Sequence, residues 1–148
     1  MLRKLALVAG GLLLGCATCA GAGGDRAVIE GADLVGDWGN GAGARLHIAA
    51  DHTANGSGLR HAVPDRSCPT EVSAARWEFF APQGPRKPED SLWPAKGDSF
   101  GLDLAPSSCS VFVAVQRDDD GYDLCLVMDP DQTCTDEELL RRLPTPSG

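Results

Sequence analysis

The chain has 148 residues, of which 43% are hydrophobic but only 5% aromatic, with 18 Gly and 10 Pro. That length suits one domain rather than two, and the mix gives a modest core with many turns. The formal net charge of −8 argues against nucleic acid as a partner, because such binding needs basic surface to replace condensed counterions.

Met1 to Gly15 reads as a signal peptide. Arg3 and Lys4 form a positive start, and Leu5 to Leu14 is an apolar run. The run is short of the roughly 20 apolar residues that a membrane-spanning helix needs. Leu13-Leu14-Gly15-Cys16 resembles a bacterial lipobox, although a small residue is commoner at the position of Leu14. The resemblance implies cleavage before Cys16 and lipid attachment to it, with the mature protein held on the outer face of the cell membrane by that lipid. The rival is Ala20-Gly21-Ala22, an A-x-A site whose cleavage would release a soluble, secreted protein. Loss of residues 1–15 removes two bases and no acid. A chain that acidic does not adhere electrostatically to an anionic membrane.

Residues 16–32, rich in Gly and Ala, read as a flexible tether, and 33–143 as the folded domain. Leu34 to Trp38 is the first predicted strand. Arg45–Ala50 and Thr53–Ser57 form a hairpin around Asp51-His52, and Gly58–Pro69 is a loop broken by Pro64 and Pro69. On that hairpin His47 and His52 would face each other across strands. Val72–Phe80 is a strand with Trp77 and Phe79 in phase. The irregular Pro82–Pro94 stretch carries Trp93, which either caps a barrel end or anchors a partner. Ser99–Leu104 follows as a strand.

The best hairpin signal is Ser110–Gln116 followed by Tyr122–Met128. Val111, Val113 and Val115 share one face while Phe112 and Ala114 share the other, the pattern of a strand inside a sheet. The Asp120-Gly121 pair supplies the turn, and Asp129-Pro130-Asp131 ends the return strand. At Thr135–Arg142 the period changes. Thr135 and Glu138 have capping-box spacing, with acids in the first turn and Arg in the last, which predicts a short C-terminal helix. Residues 144–148 are a tail.

Cys68, Cys109, Cys125 and Cys134 lie in the domain, and in an exported chain they read as disulfides. Four cysteines allow three connectivities; local closure favours Cys125 with Cys134, nine apart, and so Cys68 with Cys109. Zinc is the weaker reading, because no C-x-x-C pair is present. Overall the pattern is all-β: a single small antiparallel barrel or meander of about seven strands, with the C-terminal helix appended.

Leu34, Gly36 and Trp38, followed by Arg45–Ala50 and its Ala-Asp turn, resemble the opening of small exported lipoproteins of high-GC Gram-positive bacteria, some of them lipocalin-like. The resemblance implies a β-barrel with Trp38 at its closed end, beside an Arg of the last strand, Arg141 or Arg142. It also implies a closing strand where the capping box predicts a helix. The domain is short for a full lipocalin, and a fold implies little about a ligand.

No catalytic motif stands out. His47, His52 and His61 lack metalloprotease spacing, and Gly56-Ser57-Gly58 lacks the G-x-S-x-G pattern of a nucleophile elbow. The acidic run from Asp118 to Glu138 carries no EF-hand glycine and reads as a solvated face rather than a calcium site. No cofactor or metal is expected. The reading is therefore a lipid-anchored extracytoplasmic β domain that binds a small apolar ligand or an envelope protein. The alternative is a soluble secreted enzyme or enzyme inhibitor released after Ala22.

Overall fold

A computed structural model describes residues 24–80 and 94–145. The strands are β1 (Asp25–Arg26), β2 (Ile29–Glu30), β3 (Gly36–Gly39), β4 (Arg45–Ile48), β5 (Thr53–Ser57), β6 (Val72–Phe79), β7 (Lys96–Gly97), β8 (Ser99–Asp103), β9 (Ser110–Asp118), β10 (Gly121–Val127) and β11 (Leu139–Arg142). One short helix, α1 (Gly31–Leu34), precedes β3, and a 3-10 turn (Leu59–His61) follows β5.

Eight of these strands close an antiparallel barrel. β3, β4, β5, β6, β8, β9, β10 and β11 each pair with the next, and β11 returns to β3 through Arg141 opposite Gly39 and Arg142 opposite Trp38. Closure leaves no barrel strand with an open edge, which removes the template for aggregation that an edge strand presents. On its edge away from β10, the long β9 serves two neighbours. Ser110–Ala114 pair with β8, while Gln116 and Arg117 pair with β1. A separate small ladder joins β2 to β7.

Alternation places the core. Leu46 and Ile48 of β4, and Val111, Val113 and Val115 of β9, point inward. β6 carries Val72 and Ala75 inward although they are three residues apart, because a bulge against β5 shifts the register between Ala54 and Gly56. The interior is filled by large aromatics. Trp77, Phe79 and Phe100 meet edge to face with centroids 5.5–6.0 Å apart, and Trp38 is fully buried in the same core. A second apolar layer lies on the outer face of β9 and β10, where Ala114, Cys125, Val127, Cys134 and Leu139 pack together with Phe112.

Three expectations change. The tether expected over 16–32 is already structured from Asp25: β1 docks on β9, and Ile29 is fully buried. The strand expected over Leu34–Trp38 is β3 and begins at Gly36, after β1 and β2, because Gly31–Leu34 coil into α1 and bury Leu34. The C-terminal segment is a strand and not a helix. The capping contact does form, with the Thr135 N–H donating to the Glu138 carboxylate at 2.8 Å, but it closes only one turn. Leu140 then enters the barrel core and Leu139 the outer layer. A strand buries both leucines on its two faces and pairs with β10 on one side and β3 on the other, whereas a helix would bury one stripe and leave those two strands open.

Candidate functional site

The barrel has two unlike ends. The connections β3–β4, β5–β6, β8–β9 and β10–β11 share one end, by the antiparallel order of the strands. The other end carries α1 and the β4–β5 and β9–β10 turns.

At the α1 end the signature residues are structural. The Trp38 indole N–H donates to the Leu34 carbonyl at 2.9 Å. The Arg142 guanidinium lies over the Trp38 ring, 4.5 Å from its centroid, and donates to the carbonyls of Val35, at 2.6 Å, and Asp33. Gly36 has φ of +140°, and a β-carbon there would fall on the Arg142 guanidinium. Of the two arginines that the lipocalin resemblance offered, Arg142 therefore takes the place beside Trp38. Arg141 instead faces Asp123 on the outer surface, 3.8 Å away.

Asp123 is an unusual group. Its side chain is only 5% exposed, and its Oδ2 has no hydrogen-bond partner among the described residues. Burial, with Asp118 and Asp120 nearby, raises its pKa above the ordinary carboxylate value, and Arg141 opposes the shift. Gln116, directly across the ladder, also has a buried side-chain oxygen without a partner among the described residues.

The histidines do not converge. His47 sits opposite Asn55 rather than His52, because the β4–β5 turn spans Ala49–His52. Its Nδ1 lies 2.8 Å from the Asp37 carboxylate, and Asn55 and Ser57 share the same outer hollow of about 300 Å³. Both members of that dyad are about half exposed, 47% and 56%, so water screens the pair. His52 holds φ of +65° and stacks on Trp77 at 4.5 Å, a structural post. His61 lies in the 3-10 turn. The described residues contain no group of three or more His, Cys, Asp or Glu arranged to hold a metal ion. In the acidic run, the Asp118 carboxylate is used by the turn itself, accepting the N–H groups of Asp120 and Gly121.

The opposite, loop-bearing end is stitched together. Cys68–Cys109 ties the β5–β6 connection to the β8–β9 connection, and Cys125–Cys134 holds the β10–β11 connection onto β10. Asn40 joins three connections: its amide donates to the carbonyls of His61, at 2.9 Å, and Glu137, at 2.6 Å, while its side-chain oxygen accepts the Ala44 N–H at 3.0 Å. Beside this frame residues 60–70 line a half-open hollow of about 470 Å³. Sequence reasoning missed Asn40, Arg60 and Arg66; the available signal was two arginines within one Pro-broken loop of an acidic chain. Cys16 and Trp93 lie outside the described residues, as does nearly all of Pro82–Pro94. No described helix is long and apolar enough to cross a membrane. Comparison with protein-family models, with curated proteins and with solved structures finds no match.

Proposed function

We propose that this protein is a non-enzymatic, lipid-anchored extracytoplasmic β-barrel that binds a small ligand or an envelope partner on its exterior. The observation that carries the reading is the stapled end of the barrel. Four connections are cross-linked there by two disulfides and Asn40, while the barrel interior is occupied by Trp38, Trp77, Phe79 and Phe100. A packed scaffold that rigidifies its loops lowers the entropy that binding must overcome. Two disulfides also fit an oxidising, extracytoplasmic location. The leader, with Leu13-Leu14-Gly15-Cys16 at its end, supports anchoring by lipid on Cys16.

The intact mass of the protein from its own host tests this reading. A mass that fits Cys16 with acyl chains supports the anchored binder. A mass that begins near Gly23 without lipid overturns the anchor and favours the soluble alternative, a secreted enzyme or inhibitor. One observation favours that alternative: the Asp37–His47 pair beside Ser57 in the outer hollow.

A further inference from the structure

The cavity at residues 60–70 is built from a loop held at several points. Gly58 turns the chain at φ of +62°, where a β-carbon would lie 2.6 Å from the Gly43 carbonyl oxygen. Leu59, Ala62 and Val63 are buried beneath the turn, and the Leu59 N–H donates to the Thr70 carbonyl at 2.9 Å, bringing the two arms of the loop together. Asn40 fixes the His61 carbonyl, and the Cys68–Cys109 bridge fixes the far arm to the start of β9. The walls therefore exist before any ligand arrives.

What lines them is cationic. Arg60 and Arg66 border the cavity, with His61 and Thr70 beside them and Pro69 as apolar surface. Neither guanidinium has a carboxylate within 4 Å among the described residues, although the chain carries 21 acids against 13 bases. The one acid at the cavity is Asp65. Its carboxylate accepts the Ser67 N–H at 2.8 Å, a contact that holds its pKa below the ordinary value and commits it to the turn. Arg60 makes only a long contact to the Thr70 hydroxyl, 3.4 Å. Among the described arginines only Arg26 and Arg141 have a carboxylate within 4 Å, so it is not the lack of an acid that sets Arg60 and Arg66 apart but their place together on one braced hollow, where two forked donors can meet a single external anion.

We propose that this cavity binds a small oxyanion, a carboxylate or a phosphate ester, carried on a compact apolar body. Arg60 and Arg66 supply forked donors to the anion, the Thr70 hydroxyl a further donor, and Pro69 contacts the body. The proposal deepens the reading of the barrel as an exterior binder and does not depend on the lipid anchor.

The test uses the full oxidised chain from an exporting host, titrated with phenyl phosphate, benzoate and inorganic phosphate, with phenol as the neutral control. Backbone amide shifts report the site and calorimetry the affinity. The expected result is saturable shifts confined to residues 58–70 and no response to phenol. Phenyl phosphate should bind more tightly than inorganic phosphate, and its ranking against benzoate separates the phosphate from the carboxylate source. Arg60→Gln and Arg66→Gln are exposed changes and should each weaken binding by about tenfold, the loss of about 1.4 kcal/mol. Arg76→Gln, on the exposed face of β6, should leave affinity unchanged. Absent or non-saturable shifts, shifts centred elsewhere, full affinity in Arg60→Gln and Arg66→Gln, or equal weakening by Arg76→Gln would each overturn the proposal. A lipidated Cys16 in the same preparation would leave the anchored reading standing in that event, so the two failures are distinguishable.

Discussion

Gly36→Ala probes the knot that closes the barrel. Gly36 holds φ of +140°, a conformation that an L-residue reaches at a cost of about 1–3 kcal/mol. The added methyl would also occupy the place of the Arg142 guanidinium. That side chain is long enough to swing aside, but moving it gives up the Trp38 ring and the carbonyls of Asp33 and Val35. Those contacts are partly solvated, and their loss costs about 1–2 kcal/mol. Gly36→Ala should therefore destabilise the oxidised protein by about 2–5 kcal/mol in urea unfolding followed by tryptophan fluorescence. Arg142→Ala alone should cost about 1–2 kcal/mol, since it removes the same contacts without the backbone strain. In the double variant the contacts are lost only once, so its cost should fall short of the sum by about 1–2 kcal/mol. Additivity within about 0.5 kcal/mol would refute the claim that Gly36 is there to admit Arg142.

Asp123→Asn should raise the melting temperature at neutral pH by a few degrees. It removes a buried carboxylate whose Oδ2 lacks a partner among the described residues, a penalty of about 1–2 kcal/mol. The fold raises the pKa of Asp123, so between the ordinary carboxylate value and the raised one the folded chain keeps a proton that the unfolded chain releases. Stability conferred by Asp123 is thus present at low pH and lost as pH rises through that window, and Asn should flatten this dependence. A gain equally large below the ordinary carboxylate value would defeat the argument. The bridges differ in reach: Cys68–Cys109 spans 41 residues and Cys125–Cys134 spans 9. Loop-closure entropy assigns them about 4 and about 3 kcal/mol, so removal of the longer bridge as an Ala pair should cost more in urea unfolding. The opposite order would show that packing around Cys125, not chain entropy, dominates.

The β9–β10 hairpin was legible because its two levels agree: residues alternate at period two, and the Asp-rich turn ends in a glycine at φ of +137°. The bridges join the cysteines that local closure paired. The segment Thr135–Arg142 was ambiguous for a physical reason. Its local hydrogen bond is that of a capped helix, and only the two unpaired neighbours, β10 and β3, decide for a strand. β1 and β2 are two residues each, too short to show a period. The cross-strand partner of His47 depended on a turn in which His52 adopts φ of +65°, a conformation that histidine seldom takes. Arg60 and Arg66 share a cavity because of the 3-10 turn, the Cys68 bridge and Asn40, and none of these leaves a periodic trace in the sequence.

The filled interior determines where binding can be cheap. An eight-stranded barrel is the size at which side chains either fill the lumen or leave room for one small ligand. Here Trp77 donates its indole N–H to Ala49 at 3.0 Å, stacks on His52, and meets Phe79 and Phe100 edge to face. A ligand entering the lumen would have to displace such a side chain, and the loss of a buried Trp or Phe from a packed core costs about 3–5 kcal/mol. That cost is a reduction of two to four decades in affinity, since each decade is about 1.4 kcal/mol. The cavity at residues 60–70 asks for no such displacement, because its walls are already braced by a disulfide and by Asn40, and among the described residues its guanidiniums have no carboxylate partner to give up. Between a packed lumen and a braced, cationic rim, the free-energy difference favours the rim for any ligand that carries an anion.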